Sequence, residues 1–238
     1  MVCRMNDSAR KIAVIGAGIS GLACAARLRE AGAHVSVFDK SRDIGGRLAA
    51  RRRGGGLWHH GAPEVQARAP EFRRFLTEQV GHRRAVIVAG SDDCLTARGA
   101  PDMRELTRTL AEGLEMHFDV EVATLTPSAK GWLIAEVTGR VFGAFDVLLS
   151  AIPAPQLTAL LTRSGMTVPP ELHSVRMIPR WSFLIGFRSP PPAWVPNDEN
   201  VSGLVAMTPR PRSELPYCFV LHASDAWSLQ HLEHARDE

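Results

Sequence analysis

The sequence predicts an α/β protein built on a central parallel sheet, followed by a second region with an antiparallel sheet. Three observations carry this expectation. First, Ile12 to Ile15 is a short, continuously apolar run, as expected of a parallel strand covered on both faces. Second, glycines at 16, 18 and 21 interrupt that run before a helical repeat begins, and a further apolar strand, "HVSVFDK", follows. Third, "RWSFLIGF" (180–187), "VSGLVAM" (201–207) and "CFVLHA" (218–223) are strand-like runs separated by proline-rich loops, the pattern of an antiparallel sheet.

The first glycines have distinct tasks. In Gly-x-Gly-x-x-Gly spacing, Gly16 permits the tight turn, Gly18 lets a pyrophosphate approach bare backbone, and Gly21 lets the new helix pack on the strand. Ser20 to Ala31 then repeats apolar residues at helical spacing, with Leu22, Ala25, Ala26 and Leu28 on one side. Gly32 suits the position just past the helix end. The helix amino end, with Ser20 in its first turn, would face an anion. Asp39 closes the second strand 21 residues beyond Gly18, where an acid that binds ribose belongs, and Lys40 is grouped with it. Strand, glycines, helix, strand and acid in register predict a Rossmann-like site for an adenine dinucleotide. Spacing alone does not separate NAD(P) from FAD.

Further along, helices are expected around Pro70 to Gln79 and Met103 to Leu114, and residues 118–152 return to the dinucleotide sheet. The segments "RSPPPAWVP" and "TPRPRSELP" are loops, because proline lacks the donor that a central strand needs.

The totals exclude several classes. An apolar content of 45% supports a substantial core. No apolar run reaches the ~20 residues that a membrane-spanning helix needs, and no cleavable leader is recognisable, so a cytoplasmic protein is expected. Cys3, Cys24, Cys94 and Cys218 are widely spaced, which suggests neither a disulfide framework nor a zinc knuckle. A net charge of +3 indicates no affinity for nucleic acid or membrane. Five tryptophans without a basic groove between them belong to core or interface. His59-His60 and the pair His231 and His234 supply too few ligands at one place for a closed metal site, so no metal is expected. No Gly-x-Ser-x-Gly elbow is present. The run Arg51-Arg52-Arg53 is either a solvated loop or an extension of positive potential toward an anionic substrate.

The string "FDKSRDIGGRLAARR" (38–52) places Gly45, Gly46 and Arg47 shortly after the acid. It resembles the second glycine signature of the flavin amine oxidase superfamily, and its bacterial renalase-like branch in particular. Four other stretches are similar to that family: "HHGAPEV" (59–65), "EVATL" (121–125), "FDVLLSAIPAPQ" (145–156) and "YCFVLHASDAWSLQHLE" (217–233).

The resemblance implies FAD as cofactor. Gly46 would close over the dinucleotide, Arg47 would approach its phosphates with fork-shaped, charge-assisted hydrogen bonds, Gly61 and Ala62 would pass close to the flavin, and Val122 would pack on the adenine. It implies residues 1–76 and 99–154 as the FAD-binding domain, with 77–98 and 155–238 forming an incomplete substrate domain. The implied partner is a small molecule, an amine or a dihydronicotinamide dinucleotide, that gives a hydride to flavin which oxygen then reoxidises. No catalytic residue is assigned, since the cofactor carries such chemistry, and the oligomeric state is left open.

The departures are specific. Pro63-Glu64 stands where the family has glutamine and an aromatic residue, Pro101-Asp102 where it has proline and glycine, and the stretch from His82 to Gly99 is short and lacks the family's strands. The family's later Gly-Asp segment has no counterpart before Glu238. The expectation is a renalase-like FAD-dependent oxidoreductase, and these departures set beside it the alternative of a noncatalytic dinucleotide-binding remnant or a fragment of a longer flavoprotein.

Overall fold

The computed structural model describes residues 9–192, 197–207 and 212–233. Cys3, Trp194, His234 and parts of both proline-rich loops lie outside the described residues. The chain forms two compact units, residues 1–47 with 105–176 and residues 48–104 with 177–238. Residues 48–76 and 99–104 thus fall in the second unit, and residues 155–176 in the first.

The first unit is built on a four-stranded, wholly parallel sheet. Its order is Val147–Ser150, β1 (Lys11–Ile15), β2 (His34–Phe38) and Glu115–His117. The helix α1 (Ile19–Glu30) crosses between β1 and β2. Successive residues of a strand face opposite sides, and β1 shows why its run must be apolar throughout. Ile12 and Val14 join one core with Leu22, Ala25, Val35 and Val37. Ala13 and Ile15 join another with Phe38, Leu125, Ile134 and Leu160. An antiparallel sheet of Val122–Ser128, Gly131–Glu136 and Val141–Phe145 supplies Leu125, Ile134 and Phe145 to the second of these cores, and the helix Ala154–Arg163 supplies Leu160.

Helix α1 stops where the sequence requires. Gly32 takes a φ of +90°, its N–H donates to the Arg29 carbonyl (2.9 Å), and the Ala33 N–H donates to the Leu28 carbonyl (3.0 Å). This pair of bonds satisfies carbonyls that the helix end would otherwise strand.

The second unit contains three small antiparallel arrangements. Arg51–Arg53 pairs with Gly56–Trp58 through Gly54 and Gly55, both at positive φ, the geometry of a tight two-residue hairpin. The arginine run is therefore a strand, not the loop its charge suggests. Ala85–Gly90 and Val65–Ala67 flank Leu95–Gly99, so the stretch from His82 to Gly99 does contain strands. Ser182–Phe187 and Val201–Ala206 flank Tyr217–Ala223, the antiparallel sheet expected from sequence. Its core joins Trp58, Met207, Cys218 and Val220, and the indole N–H of Trp58 donates to the Ile185 carbonyl (3.0 Å). Among the described residues no helix is long and apolar enough to cross a membrane.

The backbone packs closely at Gly21, where an added Cβ would run into the Gly16 carbonyl oxygen. Gly21→Ala is expected to lower stability by about 2 kcal/mol or more through backbone displacement. Urea unfolding followed by circular dichroism measures it, and an unchanged midpoint contradicts the packing described.

Candidate functional site

The glycine loop is held from beneath by one carboxylate. Asp39 Oδ2 accepts the Ala17 N–H (2.6 Å), and Oδ1 accepts the Ser41 N–H (2.7 Å). The Gly16 N–H donates to the Phe38 carbonyl (2.8 Å), so the loop is tied to the end of β2 at two successive residues. The Asp39 backbone is fixed as well, its N–H donating to His117 and its carbonyl accepting from Val120. Asp39 thus has a structural task that its spacing did not disclose.

The second glycine pair closes on the first. The Gly45 N–H donates to the Ala17 carbonyl (2.9 Å), and Gly18 and Gly45 form an isolated parallel bridge. Gly46 adopts a φ of +54°, and a Cβ there would stand 3.2 Å from the Gly18 Cα. By contrast, a Cβ on Gly18 would meet nothing within 4 Å. Gly18 therefore presents bare backbone to open space at the N-cap of α1. No side chain caps that helix, and its first turn holds no acidic residue. Uncapped N–H groups and the positive end of the helix dipole make this a place for an anion.

Ser20 is exposed in the first turn of α1, and Lys40 is exposed beside Asp39. Arg47 lies in the short 3₁₀ turn Gly46–Leu48, is exposed, and makes no hydrogen bond or ion pair among the described residues. Val122 is buried with Val120 and Phe38, and the Val120 N–H binds the Asp39 carbonyl, so the strand begins beside the acid. These nine candidates, Gly16, Gly18, Ser20, Gly21, Asp39, Lys40, Gly46, Arg47 and Val122, all belong to the first unit. Gly61 and Ala62 lie in the second, half-buried in the turn after His60.

The second unit holds polar residues that sequence reasoning passed over. The Asp102 side chain is 2% exposed and accepts from Arg52 Nη2 and Arg104 Nη2, both at 3.0 Å. Burial pushes its carboxyl up, but the hydrogen bonds and charge of Arg104 and the hydrogen bond from Arg52 outweigh that and hold it below its ordinary 3.8. Aspartate in place of the family's glycine is thus the centre of an ion-pair cluster. Glu64, the other departure, faces the half-buried Arg98 at 3.7 Å. His59 is buried, and among the described residues neither ring nitrogen has a hydrogen-bond partner. Burial first, then the Arg98 guanidinium, push it below 6.5, while Asp102 opposes them; the Pro63 carbonyl also favours the proton without reaching hydrogen-bond geometry. Burial and Arg51 push His60 the same way. The signal available in the sequence was the alternation of acids and arginines across residues 51–104, which has meaning only once a fold brings them together. Among the described residues no three potential ligands are placed to hold a metal ion.

Comparison with known proteins agrees with this geometry. Residues 14–78 match the NAD(P)-binding Rossmann-like domain family. The chain is 37% identical over 71 residues to protoporphyrinogen oxidase 2 of Arabidopsis thaliana, covering 30% of this chain and 14% of that protein. It is 38% identical over 72 residues to a 4,4'-diapophytoene desaturase of Staphylococcus haemolyticus, again covering 30% and 14%. The matched stretch is therefore about a seventh of either relative. An oxidoreductase from Methanosarcina mazei aligns over 94% of this chain and 81% of its own with a TM-score of 0.60 and 14% identity. The Diels-Alderase PyrE3 aligns over 91% and 47% with a TM-score of 0.58 and 14% identity. Both structures share the fold.

Two outcomes follow from the second-unit cluster. Asp102→Asn is expected to cost about 3 kcal/mol, because it leaves two guanidinium groups without their buried partner. Arg52→Gln is expected to cost about 1 kcal/mol or less, since that side chain is 55% exposed. Chemical denaturation separates the two, and equal effects contradict the assignment. The histidines set a pH dependence. Because folding lowers the pKa of His59, His60 and His222, the unfolded chain takes up protons first. Stability from this source is complete above the ordinary 6.5 and is lost as pH falls from there toward the folded values. The urea midpoint is expected to decrease as the pH drops below about 6.5, and His59→Leu is expected to flatten that slope.

Proposed function

We propose that this chain binds FAD through the loop between β1 and α1 and belongs to a flavin-dependent oxidoreductase. One observation carries the reading: the uncapped amino end of α1, where Gly18 offers backbone to open space and Gly45-Gly46 packs behind it. The arrangement fits the diphosphate of a dinucleotide, which needs N–H donors, positive potential and no intervening side chain. Arg47, exposed and unpaired beside the loop, would add a guanidinium to the phosphates. Asp39 holds the loop through Oδ1 and Oδ2, and each oxygen keeps a lone pair with which to accept a ribose hydroxyl. Val122 would provide the apolar wall for the adenine, and Gly61 and Ala62 would border the ring system. The relatives named protoporphyrinogen oxidase and diapophytoene desaturase support an oxidoreductase, and the Gly45-Gly46-Arg47 segment favours FAD over NAD(P) alone.

When bound, FAD supplies the hydride acceptor. The chain's own residues position it and set the local charge. Our finer reading follows the renalase-like resemblance: a small amine or a dihydronicotinamide dinucleotide gives up the hydride, oxygen takes the electrons, and the exposed strand Arg51–Arg53 favours an anionic donor. A cytoplasmic setting accords with that chemistry.

Gly18→Val is a clean test. The backbone there is extended (φ −74°, ψ 172°) and no atom lies within 4 Å of a new Cβ, so the variant is expected to fold as the parent does. Its FAD affinity is expected to fall by at least ~tenfold, a loss of ~1.4 kcal/mol, because the side chain occupies the phosphate approach. Flavin fluorescence titration with a thermal melt reads both quantities. A parent protein that takes up no FAD, or a variant that binds it equally well, overturns the proposal.

A further inference from the structure

Among the described residues the strand Ala85–Gly90 ends its sheet, with Leu95–Gly99 as its one strand neighbour. Its sequence, Ala-Val-Ile-Val-Ala-Gly, contains no charge and no proline. Val86, Ile87 and Val88 are 49%, 52% and 46% exposed. Since consecutive residues face opposite sides of a sheet, three exposed in succession mean that both faces are open at this edge among the described residues. Proteins usually blunt such an edge with charge, proline or a bulge. Of these devices only a register shift between Ile87 and Ala89 is present here.

That shift leaves Val88 without a register partner on the inner strand. The Arg84 carbonyl accepts from Ala100 and the Ser91 N–H donates to Cys94, so one carbonyl and one N–H point toward the inner strand, while the Arg84 N–H donates to the Gln79 carbonyl. Their neighbours Ala85 and Gly90 must then direct their backbone groups outward. A second copy laid antiparallel across a two-fold axis can pair Ala85 with Gly90 and Ile87 with Val88. The same register sets Arg83 of one copy opposite Asp92 of the other, with Asp93 adjacent. All three side chains are exposed and make no ion pair among the described residues. A basic end and an acidic end on one apolar edge complement each other only when the partner runs antiparallel.

From this the structure assigns residues 83–93 as a self-association surface: two copies of the chain join edge to edge into a continuous six-stranded antiparallel sheet. The contact is isologous, so it closes at two copies. The apolar stripe of each copy covers the other, and the two Arg83–Asp92 pairs fix the direction and the register.

Sedimentation velocity of the full chain over a concentration series tests this, with each variant first checked for native circular dichroism. A reversible monomer–dimer equilibrium is expected. Ile87→Lys places like charges at the two-fold and is expected to raise the dimer dissociation constant at least ~tenfold. Arg83→Asp and Asp92→Arg are each expected to raise it about fivefold, and the double reversal to restore it to within about twofold. Residue 83 lies in the left-handed region, with a φ of +59°, and aspartate tolerates that better than arginine. A monomer at every concentration, a dimer indifferent to Ile87→Lys, or a double reversal that fails to recover association overturns the assignment. Larger aggregates without a discrete dimer do so as well.

Discussion

The first unit depends on the Asp39 carboxylate and the two backbone N–H groups it accepts. A loop that offers bare amide to a ligand has no side chains with which to hold its own shape. Its conformation must be imposed from below, and Asp39 does so by tying Ala17 to the end of β2 and to Ser41. A charge-assisted bond of this kind is stronger than one between neutral groups, and here it replaces contacts that glycine cannot make. The Gly16 and Gly45 amides extend the same clamp to Phe38 and Ala17. What remains free is the upper surface at Gly18, directly over the amino end of α1.

Glycine serves separate needs within this small region. At Gly16 a φ of +111° permits the turn out of β1. At Gly21 the absence of a side chain allows helix and strand backbones to touch. At Gly18 the backbone is extended and an added Cβ would meet nothing within 4 Å, so neither strain nor crowding calls for glycine there.

The second unit is organised by a buried charge. Asp102 is kept ionised by Arg104 and Arg52, which links the Arg51–Arg53 hairpin to the turn before the helix Glu105–Ala111. His59 follows that hairpin, buried and neutral-leaning near the same cluster. Clusters of this kind fix one arrangement of strands because a slipped register would strand an unpaired charge in the interior. Asp102 and Glu64 are each committed to arginines of their own unit.

The sequence by itself determined the strand–glycine–helix–strand beginning, because the unbroken apolar run of β1, buried on both faces, and the backbone freedom of glycine are local properties written in adjacent residues. It also determined the late antiparallel strands, whose apolar runs are bounded by prolines. It did not disclose that Asp39 grips the loop, that Arg51–Arg53 is a strand, or that Asp102 gathers Arg52 and Arg104. Nor did it show that "AVIVAG" is left uncovered at a sheet edge. Only the tertiary structure decided these points, since each rests on residues distant in the chain. A charge becomes an ion pair, and a strand becomes an edge, by virtue of neighbours that no local pattern specifies.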